Sequence, residues 1–331
     1  MGTVNLPRVE LAHLPTPFER LGRLSAHLGG PNIYVKRDDC TGLAGGGNKT
    51  RKLEFLMADA LAHGADTIVT VGATQSNHVR QTIAACAKLG LNVEVLLEKA
   101  VVRDDDYARN GNFMLDGLMG ATIHECESGE DMDIKGQAYA DTLCAQGHKT
   151  YFIPTGGSSP IGVIGYMDCI TEILSQSQKL GINIDAIIAA SGSQGTQAGL
   201  VLGLAQAKSN IPIYGISVAR ERQDLEERVF ALAKRAAKLA KLDVPIERKN
   251  VMCDDNYLAP GYGLPNAGMV EAVKLCARLE ALLIDPVYSG KAMAGLIDKI
   301  RKGEFTKGQN IVFIHTGGQI ALHAYRSEFE A

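Results

Sequence analysis

The chain has 331 residues, 46% hydrophobic and 21% charged, which suits about two folded domains and excludes a small binding module or a mainly disordered chain. Its 34 basic and 37 acidic side chains leave a net charge of −3, so the electrostatic footprint of a nucleic-acid or anionic-membrane binder is missing. No apolar run approaches the roughly 18 residues of a membrane span and the first residues show no basic-then-apolar leader, so a cytoplasmic location is expected.

From the N-terminus onward, β-rich apolar runs alternate with helical patterns. Asn32–Lys36, Thr67–Val71, Asn92–Leu97, Thr150–Ile153, Ile184–Ala190, Ile211–Val218 and Asn310–His315 are predicted strands. Leu53, Leu56, Met57, Ala60 and Leu61 recur at helical spacing over Lys52–His63, with Gly64 as a stop, and His78–Leu89 repeats the arrangement before Gly90. Arg220–Leu242 is locally basic, but Glu221, Asp224, Glu226 and Glu227 are interleaved with Leu and Ala at helical spacing, which predicts a solvated helix face. This βαβα order predicts an α/β fold of parallel sheets with helices on both faces, and ligands where loops leave the carboxyl ends of strands. The seven cysteines are scattered and never in C-x-x-C, so reduced core thiols are expected and no metal site.

Six polar or glycine-rich loops interrupt these elements. In the first, Thr41–Arg51, Lys49 follows Gly45-Gly46-Gly47-Asn48; Asn48 breaks the triphosphate-binding loop pattern, which needs lysine directly after glycine. A lysine at a helix start, desolvated, is a candidate amine nucleophile, although a capping lysine fits the same residues. Gly72–Val79 carries Gln75, Ser76, Asn77 and His78, donors for a carboxylate or ring oxygen, or an ordinary N-cap. Gly156-Gly-Ser-Ser-Pro160 also follows a predicted strand.

Ser191-Gly192-Ser193-Gln194-Gly195-Thr196 follows an apolar strand, and its small residues expose backbone N–H groups and hydroxyls to an anion. It departs from G-x-G-x-x-G, so a single phosphate suits it better than a pyrophosphate. Tyr262 and Tyr288 stand in glycine-bearing loops as candidates to stack on a flat cofactor or handle a proton, and Thr316 in His315-Thr-Gly-Gly318 can face a heterocycle nitrogen. An amine, a monophosphate cradle, a stacking ring and a ring-nitrogen partner together suit pyridoxal 5′-phosphate.

With Lys36-Arg-Asp-Asp39, Gly46–Phe55, Gln75–His78, Ser191–Thr196, Asp285–Lys291 and His315–Gly318 in order, the chain resembles the fold-type II (tryptophan-synthase β-like) pyridoxal-phosphate enzymes. Its branch is the one that holds 1-aminocyclopropane-1-carboxylate deaminase, D-cysteine desulfhydrase and L-cysteate sulfo-lyase. The resemblance implies two open twisted parallel-sheet domains flanked by helices. Residues 1–52 with 160–331 would form the larger, cofactor-binding domain and residues 53–159 the smaller, with the site between them in a homodimer. It also implies a Schiff base on Lys49, Asn77 on the phenolic oxygen, the phosphate on Ser191–Thr196, Tyr288 on the ring and Thr316 toward the pyridine nitrogen. Gln75, Ser76 and His78 would hold the carboxylate of a small amino-acid substrate or assist proton transfer, with Tyr262 near Cα and Ser289 as a further substrate contact.

The deaminase pattern has Glu and Leu where this chain has Ser289 and Thr316, and a hydroxyl cannot supply the charge that keeps a pyridine protonated. That favours α,β-elimination of a good leaving group. The approach to Lys49 looks more like the cysteate enzymes, so sulfite loss from L-cysteate is the leading expectation, with Arg220 as the cation facing a sulfonate, and sulfide loss from D-cysteine is the alternative.

Overall fold

The computed structural model describes residues 6–330; Met1–Asn5 and Ala331, the outer ends of the expected larger domain, lie outside the described residues. The strands are β1 (Phe18–Arg20), β2 (Asn32–Arg37), β3 (Thr67–Ala73), β4 (Asn92–Glu98), β5 (Thr122–Cys126), β6 (Thr150–Ile153), β7 (Ala186–Ser191), β8 (Ile213–Ser217), β9 (Met252–Asp254) and β10 (Asn310–His315). They form a six-stranded sheet, β1-β2-β10-β7-β8-β9, and a four-stranded sheet, β5-β4-β3-β6. All pairings are parallel except β1 with β2, where the short edge strand runs antiparallel.

Each predicted strand is present, shifted by two residues at most at either end. Three others, β1, β5 and β9, were not predicted. All three are sheet edges, and in β1 and β9 only three residues pair, too few to show an alternation.

Why the central strands are so apolar follows from what covers them. In β7, Ile187 and Ala189 pack on one face while Ala186, Ile188 and Ala190 pack on the other. In β10, Val312 and Ile314 oppose Ile311 and Phe313 in the same way, and in β3, Ile68 faces one cluster while Val69 and Val71 face another. A strand buried on both faces needs apolar side chains at every position, which reads as a continuous run.

The smaller sheet lies wholly within residues 53–159 and the larger one wholly outside them. The expected break at 52/53 falls inside the Lys49–Ala62 helix, which bridges the two sheets. A buried polar cluster anchors that helix. Arg51 pairs with Asp38 at 2.9 Å and with Glu172 at 2.8 Å, and Lys36 reaches Glu172 at 2.6 Å. Burial by itself would raise the Asp38 carboxyl, but the Arg51 guanidinium overrides it and holds the acid below its ordinary value. Among the described residues no helix is long and apolar enough to cross a membrane.

Candidate active site

The carboxyl ends of β3, β6, β7 and β10 converge on one cleft with about 660 Å³ of atom-free space, its mouth included. Lys49, Ser76, Asn77, His78, Ser191, Gly192, Ser193, Gln194, Thr196, Tyr262, Tyr288 and Thr316 all line it. Gly195 starts the Gly195–Gln206 helix directly behind the loop.

Lys49 opens its helix and points its amine at the Gly156 carbonyl, 3.4 Å away. Lys52, one turn later and fully buried, donates to the same carbonyl at 3.0 Å. Desolvation lowers the Lys49 ammonium to about 8, and it lowers Lys52 well below the usual range, with the neighbouring amine adding to the effect. Lys49 is therefore an amine available near neutral pH.

The Ser191–Thr196 loop is built without bulk. A Cβ on Gly195 would lie 2.6 Å from Lys52 Nζ and 2.7 Å from Ser158 Oγ, and one on Gly156 would lie 2.1 Å from Ser193 Oγ. Gln194 takes φ +54 to turn the chain into its helix, whose first N–H groups have no partner within the helix. Ser191 Oγ is buried and without a hydrogen-bond partner. An orphaned buried hydroxyl, a helix start and a buried lysine fit a phosphate, although Gly195 N is turned back to the Ser193 carbonyl at 2.7 Å, so these residues suit the phosphate of pyridoxal 5′-phosphate.

Ser76 caps the Asn77–Leu89 helix, its hydroxyl accepting from Val79 N at 3.2 Å. The Asn77 side chain turns its oxygen away from the cleft, toward Arg80 at 2.8 Å and Asn112 at 3.0 Å, which leaves its NH₂ as the group to offer a ligand. Tyr262 and Tyr288 share a hydrogen bond at 2.7 Å between their hydroxyls. Burial raises both phenols, so both stay protonated. Lys291 fixes the Tyr262 loop by donating to the carbonyls of Leu258 and Gly261 at 2.9 and 2.6 Å.

Three expectations need correction. Gln75 faces away from the cleft: its amide donates to the Tyr107 and Asn110 carbonyls and accepts from Asn112 N, so it fastens a neighbouring loop. Ser289 is fully buried and bonded to Asp285, whose carboxylate also takes the N–H groups of Val287, Tyr288 and Ser289. Arg220 lies outside the cleft on a 3.0 Å bond to Asp224, in the first turn of the Arg222–Leu239 helix that follows it. His78, by contrast, lines the cleft as expected, and desolvation and the two lysines push it well below its ordinary value. Thr70 Oγ1 spends its proton on the Ile153 carbonyl, so His78 Nε2, 3.0 Å away, must donate to it.

Several residues were missed by the sequence reading. Asn48 joins three loops, its backbone N–H donating to the Thr316 carbonyl and its side chain to Thr196 Oγ1, both at 2.9 Å. Lys52 and Arg80 carry no signal in the sequence beyond their spacing, one turn after Lys49 and Asn77.

The family model described as "Pyridoxal-phosphate dependent enzyme" matches residues 9–317. The chain belongs to this pyridoxal-phosphate-dependent family. Within the family, it is 47% identical over 320 residues to "D-cysteine desulfhydrase" of Salmonella typhi, covering 96% of each chain, and equally similar to the protein of that name from Salmonella paratyphi C (strain RKS4594). A crystal structure described as an "ACC deaminase homologue" superposes with a TM-score of 0.90 at 37% identity, covering 99% of this chain and 98% of the other. A pyridoxal 5′-phosphate-dependent aspartate racemase, at 18% identity and a TM-score of 0.64, shares the fold.

Proposed function

We propose that this protein is a carbon–sulfur lyase that converts D-cysteine and water to pyruvate, hydrogen sulfide and ammonia. The observation that carries the choice of leaving group is the cleft lining: Lys49 is its one cationic side-chain type and no arginine faces it among the described residues. A sulfonate is a full anion with three acceptor oxygens and would need a guanidinium or comparable donor set. The expected one, Arg220, is committed to Asp224 outside. Loss of sulfide needs no such cation. The names of the similar Salmonella proteins support the same reading over L-cysteate.

When bound, pyridoxal 5′-phosphate supplies an electron sink for the charge left at Cα. The chain's residues would do the rest. Lys49 and Asn77 would hold the ring, the Ser191–Thr196 loop the phosphate with Lys52 just behind Gly195, and Tyr288 and Thr316 would flank the ring. Ser76 and the unpaired N–H groups of the first turn of the Asn77–Leu89 helix suit the substrate carboxylate. Lys49 Nζ, near 8, is matched to take the Cα proton at neutral pH, whereas Tyr262, held protonated, is matched to give its phenolic proton to the departing sulfur. A homodimer is part of the proposal, to be checked by sedimentation.

The test is to incubate purified holoenzyme separately with D-cysteine, L-cysteine, L-cysteate and 1-aminocyclopropane-1-carboxylate, measuring pyruvate together with sulfide or sulfite. The expected result is the highest kcat/KM for D-cysteine with equimolar sulfide and pyruvate. Faster sulfite release from L-cysteate would overturn the reading.

A further inference from the structure

Arg80 is fully buried, and each of its hydrogen bonds ends on a neutral oxygen. Nη2 donates to the Gly46 carbonyl at 2.8 Å, Nε to the Ala44 carbonyl at 3.2 Å, and Nη1 to Asn77 Oδ1 at 2.8 Å and to Asn112 Oδ1. No carboxylate reaches ion-pair distance of it among the described residues. The acid with the largest pull on it, Asp116, has both oxygens buried without a hydrogen-bond partner, and burial lifts its carboxyl to about 8, so it stays protonated at neutral pH. A buried guanidinium that bonds to no anion, with Asp285 acting on it only from beyond ion-pair distance, is costly, which points to a negative charge that arrives with a ligand.

The hydrogen-bond chain shows where that charge would sit. A guanidinium can only donate, so both asparagines must turn their oxygens to it. Asn112 is fixed further by its Nδ2, which donates to the Gln75 carbonyl at 2.9 Å and to Asn77 Oδ1 at 3.0 Å. With its oxygen doubly occupied, Asn77 can show only its NH₂ to the cleft. There the amide nitrogen lies so close to Gly318 that a Cβ on that glycine would approach it to 2.6 Å.

We infer that Arg80 is a positioning residue, which with Asn112 locks Asn77 so that Nδ2 donates to the cofactor's ring oxygen, and which supplies the positive charge that holds this oxygen as an anion. The inference rests on the proposed seat of the cofactor at Lys49. It extends that reading to residues the cofactor does not touch.

The experiment compares two compounds on the same protein: pyridoxal 5′-phosphate and its 3-deoxy analogue, which lacks the ring oxygen. Holoenzyme carrying either one is diluted, the dissociation constants are read from the Schiff-base absorbance, and borohydride-trapped adducts are mapped. Wild-type protein should prefer the natural cofactor, and Arg80→Met should shrink that preference about tenfold, the scale of one charge-assisted hydrogen bond. Arg80→Lys, which keeps a cation, should retain more of the preference than Arg80→Met.

Equal weakening toward both compounds, or an unchanged preference, would show that Arg80 only supports the fold, and would overturn the inference while leaving the Lys49 seat intact. Should Arg80→Met fail to fold, Asn112→Ala decides by the same comparison: a reduced preference supports the lock and an unchanged one overturns it. If wild-type protein yields no trapped adduct at Lys49 with either compound, the underlying seat itself is wrong.

Discussion

Replacing Lys49 with methionine should make the cofactor-free protein more stable even as it removes covalent attachment of the cofactor. Moving the ammonium from its ordinary 10.5 to about 8 means that the folded state binds its proton less tightly than the unfolded chain does. At about 1.36 kcal/mol for each tenfold change, the folded protein forgoes up to about 3 kcal/mol. Solvent at the cleft mouth reduces this, since Lys49 is only half-buried. The lost contact, a 3.4 Å approach to the Gly156 carbonyl, offsets little, and methionine keeps most of the apolar stem.

The sign with pH is fixed. Below about 8 the penalty is present in full; between 8 and 10.5 it fades, since the folded amine is already neutral and the proton that only the unfolded chain still holds costs less to remove as pH rises; above 10.5 it is gone. The assay is urea unfolding of cofactor-stripped wild type and Lys49→Met at pH 7 and at the highest pH where both refold. The variant's advantage should be largest at pH 7 and shrink on the alkaline side. An advantage that is absent at pH 7, or that grows with pH, would refute the desolvated-amine argument.

Lys52→Met should weaken cofactor binding by about 10- to 100-fold, the value of a charge-assisted bond to phosphate, measured by equilibrium dialysis; unchanged binding would detach Lys52 from the cradle. Asp38→Asn removes one of the two carboxylates on Arg51 and leaves it Glu172, and should cost about 1–3 kcal/mol in chemical denaturation. Because Asp38 is held below its ordinary 3.8, its contribution is fully present above that pH and is lost as pH falls through the lowered value, which an acid-unfolding titration of both proteins checks. Arg220→Ala should leave KM for D-cysteine and L-cysteate within about twofold, since the side chain sits on an exposed pair outside the cleft; a selective rise for L-cysteate would restore it as a sulfonate contact. Gly156→Ala forces an alanine to φ +66 with its Cβ on Ser193, and should lower stability by about 1–3 kcal/mol and release cofactor, both visible in one thermal melt followed at the cofactor band.

The central strands were legible because burial on both faces leaves a continuous apolar run, and the loops after them because glycine and hydroxyl residues interrupt it abruptly. Edge strands such as Thr122–Cys126, with one residue fully buried, carry no comparable signal. Lys49 could be singled out from its position after three glycines, and the cradle from its small residues. Which way a side chain points was not legible. Gln75 and Ser76 are adjacent and polar, yet one turns outward to fasten a loop and the other caps the helix at the cleft wall. Ser289 follows the Tyr288 that lines the cleft but points into the Asp285 turn. Arg220 stands just past a strand end, but Asp224 one turn on offers a nearer anion. Lys36-Arg-Asp-Asp39, striking as a motif of charges, works at a distance from the cleft by tying Arg51 and Glu172 into the frame.

Asn48 gives the arrangement an unexpected mechanical character. Because one residue grips the strand end at Thr316 through its backbone and the cradle at Thr196 through its side chain, the nucleophile beside it cannot drift relative to either. Amine, phosphate seat and ring edge are therefore kept in one register, and the helix behind Ser76 is clasped to the same unit, since Arg80 grips the Ala44 and Gly46 carbonyls and Gln81 takes the Thr50 N–H.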